Sequence, residues 1–304
     1  MDLNRRRLLG HAGALAFGAG MPMPSFAADD LVKKPIPASG ELLPVIGLGT
    51  ARRFQGASSE AERAPLRESL RRFLALGGTV IDTAPSYGDA EAVVGSLLAD
   101  LKPAAPLFLA TKVGASGRAS GQAQIDDSFR LLRRQPLDLI AVHNLQDTDT
   151  QLGLLRELKA SQRVRYLGAT TSNDRQYQAF EAMMRKQPLD FVQVDFALDN
   201  RGAGERLLPL ARDRGMAVMV NLPFGRGRLF DATRGRPLPP WAAAFDCTSW
   251  AQFFLKYIVS HDAVTCAIPG MARPEYVEDN LGAARGRLAD AAMRKRMEAF
   301  IDAL

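Results

Sequence analysis

Short runs of β-branched and large apolar residues recur along the chain at 43–50, 79–84, 107–113, 138–144, 164–171, 191–196, 217–224 and 263–270. Between them lie longer stretches, among them 61–76, 124–134, 150–161, 174–186 and 203–214, where apolar residues return every three or four positions. The first pattern predicts strands, and the second predicts amphipathic helices long enough to cross from one strand to the next. Strands alternating with crossover helices form a parallel sheet. Eight such units predict an α/β chain closed into a (β/α)8 TIM barrel, whose active site lies at the C-terminal ends of the strands. A doubly wound dinucleotide fold is disfavoured, because Gly47-Leu48-Gly49 continues as Thr50-Ala51-Arg52 and gives no G-x-G-x-x-G turn.

The N-terminus departs from this pattern. Asn4-Arg5-Arg6-Arg7-Leu8-Leu9-Gly10 sets an arginine cluster before a Gly/Ala-rich apolar stretch reaching Met21, and Ser25-Phe26-Ala27 offers small residues where a signal peptidase reads. This predicts a signal peptide over 1–27, cleaved near Ala27, followed by one barrel domain over 28–304. Arg5-Arg6 with Arg7-Leu8-Leu9 resembles the twin-arginine pattern, which is favoured here over the ordinary secretory route. The expected partner is the twin-arginine export machinery, and the expected location is periplasmic or secreted. An apolar stretch of roughly 14 residues is too short to span a bilayer comfortably, so no stable membrane anchor is expected.

The formal charge is +6, and removing Arg5, Arg6, Arg7 and Asp2 with the leader lowers it to +4. The arginines are scattered and not interleaved with aromatics, which argues against a nucleic-acid surface. Cys247 and Cys266 make no disulfide framework, and His11, His143 and His261 show no metal-ligand spacing with them, so no metal is expected.

Polar residues gather where a barrel enzyme needs them. The second predicted strand ends at Asp82 and its loop carries Tyr87, the third ends around Lys112, and the fourth ends at His143. Each alone has a plain role as a turn cap, loop aromatic, snorkelling lysine or core histidine. Four at adjacent strand ends form a chemical set. Hydride delivery to a carbonyl carbon creates an alkoxide that needs a proton, and a tyrosine supplies it if an ammonium lowers its pKa from about 10. Lys112 is placed to do so, Asp82 to hold Lys112 charged, and His143 to donate to the substrate oxygen. A Schiff-base aldolase using Lys112 is the poorer reading, since Asp82 keeps that lysine protonated.

The segment from Gly78 to Gly88, with Glu91 and Gly95 after it, resembles the aldo/keto reductase signature around its catalytic aspartate and tyrosine. Ala110-Thr111-Lys112, the run to His143, Val164 to Gly168, Gln193, Pro223 to Gly227, Ile268-Pro269-Gly270 and Asp279-Asn280 follow in family order across nearly the whole mature chain. The resemblance implies a small-molecule carbonyl substrate and NADP(H) in preference to NAD(H), with the nicotinamide beside Tyr87. It implies that Thr170, Thr171 and Gln193 hold the carboxamide. It places Pro223, Gly225 and Gly227 over the pyrophosphate, and Gly270, Arg273, Asp279 and Asn280 at the adenosine end.

Three positions depart from the family pattern. The usual Ser-Asn pair stands as Thr170-Thr171, with Ser172-Asn173 one step later. Asn221 takes the place of the ring that stacks on the nicotinamide, and the usual cation near Gly270 is absent, leaving Arg273 to serve. These departures support a second expectation: an exported barrel with a degenerate cofactor site that binds a ligand or senses redox state.

Overall fold

The computed structural model describes residues 31–304. The predicted leader, with its twin-arginine motif, lies outside them. The described chain opens with an antiparallel hairpin, β1 (Lys33–Pro35) and β2 (Leu42–Pro44). There follow β3 (Leu48–Gly49), α1 (Glu60–Ala75), β4 (Val80–Asp82), α2 (Ala90–Leu101), β5 (Phe108–Val113), α3 (Arg118–Leu132), β6 (Leu137–His143) and α4 (Thr148–Ala160). Then come β7 (Val164–Thr170), α5 (Tyr177–Lys186), β8 (Phe191–Asp195), α6 (Ala203–Asp213), β9 (Ala217–Asn221), α7 (Arg228–Ala232) and α8 (Trp250–Val259). The chain finishes with β10 (Cys266–Ala267), α9 (Pro274–Gly282) and α10 (Ala291–Asp302).

Strands β3 to β10 form one eight-stranded sheet in sequence order, with every ladder parallel. Parallel bridges from Ile46 to Ala267 and from Gly49 to Gly270 join its two ends, with Gly47 N donating to Ala267 O at 2.8 Å and Gly49 N to Pro269 O at 2.9 Å. This is the (β/α)8 barrel.

The predicted strand over 43–50 divides in two. Pro44 has no N–H to extend a ladder, so Leu42–Pro44 pairs back on β1 and only Leu48–Gly49 enters the barrel sheet. The helix expected from 124 starts earlier, at Arg118.

Strand parity sorts the core. Odd steps along the strands, such as Ile81, Leu109, Val192, Val218 and Ala267, pack with the helices. Alternate residues, Val80, Phe108, Ala110, Leu139, Tyr166, Phe191, Ala217, Met219 and Cys266, fill the barrel interior with Ile36 and Leu43 of the hairpin. Phe108, Tyr166 and Phe191 cluster there at centroid separations of 5.5–6.0 Å, Phe108 stacked on Tyr166 and Phe191 edge-on to Tyr166. Tyr166 Oη donates to Glu41 Oε2 (2.8 Å) and accepts from Ser39 Oγ (2.7 Å), fastening the hairpin across the N-terminal end of the barrel.

Candidate active site

Continuing the inward parity toward the strand C-termini leads from apolar to chemical residues: Val80 to Asp82, Ala110 to Lys112, Leu139 through Ala141 to His143, Phe191 to Gln193 to Asp195, and Met219 to Asn221. The register staggers the first three by two residues per strand, Asp82 pairing with Ala110, Lys112 with Ala141 and His143 with Thr170, while Thr170 pairs with Gln193 and Asp195 with Asn221. The four predicted catalytic side chains thus share one barrel mouth.

Lys112 Nζ donates to Asp82 Oδ1 (2.9 Å), Asp82 Oδ2 (2.8 Å) and Thr83 O (2.8 Å), and both charged side chains are buried. Thr50 holds the Asp82 carbonyl through its N–H (3.1 Å) and hydroxyl (3.0 Å). The loop after β4 turns tightly, with Tyr87 N donating to Ala84 O at 3.0 Å. That turn sets the Tyr87 ring 5.1 Å from Lys112 Nζ and edge-on to the His143 ring, centroids 6.1 Å apart. Glu91 of the same signature is buried and accepts from Thr111 Oγ1 at 2.6 Å, tying α2 to β5 beside Lys112.

Burial works against the Lys112 charge, but Asp82 and Tyr87 together raise its pKa and keep it an ammonium. Burial raises the Asp82 pKa, against the opposing pull of the Lys112 ammonium. At Tyr87 the expected lowering does not occur. Burial of the phenol outweighs the pull of Lys112, so its pKa is raised and it stays protonated near neutrality. His143 is pushed down to about 4 by burial and then by the Lys112 charge, which makes it a neutral imidazole at pH 7.

Beyond His143 the backbone enters the left-handed region at Asn144 (φ 50°), Leu145 (φ 58°) and Asp147 (φ 47°), a strained turn of the kind found at functional rims. Gly117 N pins it by donating to Asp147 Oδ2 at 2.6 Å. A cavity of about 270 Å³ lies against His143 here, lined also by Ser86, Gly114, Gln124, Asn144 and Gln146.

The predicted cofactor residues separate into groups. Gln193 Nε2 and Asn221 Oδ1 are buried and have no hydrogen-bond partner. An unused donor and acceptor on neighbouring strands fit a carboxamide, which brings both complements. Thr170 shares the inward parity, whereas the Thr171 hydroxyl is engaged by Gln176 Oε1 at 2.7 Å within its own loop. Pro223, Gly225 and Gly227 follow β9, with Gly225 on the rim of a cavity of about 340 Å³ between the loops after β7, β8 and β9. Gly270 closes the barrel against Gly49 and leaves room for the Arg53 side chain, since a Cβ there would lie 3.2 Å from Arg53 Cγ. Arg273 is exposed at the start of α9, with its guanidinium over the Tyr276 ring. Asp279 accepts from Ser249 Oγ (2.6 Å) and Gln252 Nε2 (3.1 Å), so it joins α9 to α8, and Asn280 is buried in α9.

Sequence reasoning missed Asp195, a buried carboxylate at the mouth held by Tyr177 Oη (2.9 Å) and Asn200 Nδ2 (2.8 Å). Its signal was available, because it stands two residues beyond Gln193 on the same face. Among the described residues no group of three or more His, Cys, Asp or Glu side chains could hold a metal.

Comparison with known proteins follows the same lines. The chain is 30% identical over 277 residues to methylglyoxal reductase YeaE of Escherichia coli (strain K12), covering 88% of this chain and 95% of that one. Among solved structures, an aldo/keto reductase from Klebsiella pneumoniae in complex with NADP and acetate superposes with TM-score 0.72 at 26% identity, covering 89% and 96% of the two chains. A Klebsiella pneumoniae aldo-keto reductase in complex with NADPH gives TM-score 0.72 at 28% identity with the same coverage. With the Aldo/keto reductase family model matching residues 45–301, this chain belongs to the aldo/keto reductase family.

Proposed function

We propose that the protein reduces an aldehyde or ketone to the alcohol with NADP(H) as the preferred nicotinamide cofactor, and that Tyr87 is the proton donor. The observation that carries this reading is the buried Asp82–Lys112 pair beside the Tyr87 ring, in the same barrel mouth as the unpaired amide atoms of Gln193 and Asn221. When bound, the reduced nicotinamide supplies the hydride. Gln193 and Asn221 would hold its carboxamide, and the exposed Arg273 would be the cation for a 2'-phosphate. Tyr87 holds its proton at neutral pH and gives it to the substrate oxygen as negative charge develops there. Lys112, kept cationic by Asp82, stabilises the phenolate left behind. Neutral His143 orients the substrate oxygen by donating a hydrogen bond. The relation to a methylglyoxal reductase makes methylglyoxal the first substrate to try. The leader over 1–27 supports export by the twin-arginine route to the periplasm or beyond.

The test is fluorescence titration with NADPH and NADH, followed by methylglyoxal turnover, on the wild type and Tyr87→Phe. Tyr87→Phe is expected to bind NADPH like the wild type and to lose roughly 10²- to 10⁴-fold in turnover, the usual worth of a general acid. Failure of both nucleotides to bind would overturn the reading in favour of a ligand-binding or redox-sensing barrel.

A further inference from the structure

We propose that Ser86 is a positioning residue that fixes the tautomer of His143, its hydroxyl donating to Nδ1 so that Nε2 carries the hydrogen offered to the substrate oxygen. This rests on the reductase reading for its purpose, but not for its geometry. Ser86 Oγ lies 3.3 Å from His143 Nδ1, and the hydroxyl makes no other hydrogen bond among the described residues. A neutral imidazole has one donor nitrogen and one acceptor, and the partner of one nitrogen sets the role of the other.

A histidine is commonly locked as Nδ1–H by a backbone carbonyl or a carboxylate. Among the described residues, no backbone carbonyl or carboxylate is hydrogen-bonded to His143 Nδ1. That side of the ring faces the cavity formed with Gln124, Asn144 and Gln146, whose side chains carry no charge. Gly114 borders the same flank, where a Cβ would stand in ordinary contact, 3.4 Å from His143 Cβ and 3.9 Å from Nδ1. A hydroxyl with no other hydrogen bond among the described residues is free to donate to Nδ1. The opposite tautomer would turn a lone pair toward the reacting oxygen, where only a donor helps.

The full chain holds three histidines, so the tautomer can be read by nitrogen–proton correlation in protein labelled with ¹⁵N-histidine, without cofactor, at pH 7. His261 provides an internal reference, because Ala263 N donates to its Nδ1 at 3.1 Å and fixes the Nε2–H form. The expected result is the Nε2–H pattern for His143 in the wild type and a mixture in Ser86→Ala, with His261 unchanged. Loss of one hydroxyl donor shifts the tautomer ratio by roughly three- to tenfold. Methylglyoxal turnover with NADPH is expected to fall with the Nε2–H fraction, by about twofold for an even mixture, at nearly constant KM, and Ser86→Thr to restore both readouts. An Nδ1–H pattern in the wild type, or an unchanged ratio in Ser86→Ala, would overturn the proposal whatever the activity. If the tautomer shifts but neither nucleotide binds, the reductase reading fails and the Ser86 contact stands.

Discussion

A buried titratable side chain keeps its charge only where a partner offsets its lost hydration. Lys112 has Asp82 and stays charged, while His143 has only the unfavourable Lys112 nearby and stays neutral. The consequence appears in stability. In the folded protein His143 and His261 titrate at about 4, against an ordinary value of 6.5. Between those values the unfolded chain binds protons that the folded one refuses, so their contribution is complete above pH 6.5 and is lost as pH falls toward 4. His143→Gln should therefore flatten part of the fall in urea midpoint between pH 7 and pH 4.5. An equal fall in both proteins would show that His143 is not held neutral by the fold. The tetrad was legible in sequence because each member ends a strand or opens its loop, and parity then aims it inward. The Ser86 contact was not legible, because it depends on the turn that returns residue 86 to a ring on another strand. The rise in the Tyr87 pKa was equally hidden, since burial is a property of the assembled mouth.

Elements were legible in proportion to how regularly their residues alternate. Strands β5 to β9 follow the apolar runs closely, but a hairpin of three-residue strands ending in Pro44 and a two-residue β10 give too little pattern to delimit. Helix α2 is apolar almost throughout, so its faces do not stand out in sequence, yet it carries two signature residues with structural tasks. Glu91 anchors it to β5, and Gly95 lets it approach α3 so closely that a Cβ would lie 2.0 Å from Leu131 O. Backbone cannot yield as a side chain does. Gly95→Ala should therefore destabilise the protein by about 1–3 kcal/mol through overpacking. Gly153, inside α4 with nothing within 4 Å of its Cβ position, is the matched control. Gly153→Ala should stabilise by about 0.5–1 kcal/mol, because alanine loses less backbone entropy in a helix. Melting temperatures moving in opposite directions would support the close helix contact; a Gly95→Ala protein melting with the wild type would refute it.

At the scale of the whole molecule, the fold bears on the twin-arginine export proposed above. The barrel is complete only when Ile46 and Gly49 meet Ala267 and Gly270, residues from opposite ends of the described chain. The orphaned amides of Gln193 and Asn221 stand on the paired strands β8 and β9 of that ring, so the nicotinamide site proposed for them needs the folded sheet. A route that threads unfolded chain would deliver the protein without cofactor into a compartment poor in it. The twin-arginine route carries folded proteins, and the Arg5-Arg6 pair is what it would read. Replacing both arginines by lysine preserves the charge that an ordinary secretory signal needs while removing the pair itself. The double variant should remain in the cytoplasm with its leader uncleaved and cofactor bound, as read by cell fractionation, intact mass and nucleotide released on denaturation. Undiminished export of the double variant would show that the leader serves the ordinary route, and loading would then have to follow folding outside the cytoplasm.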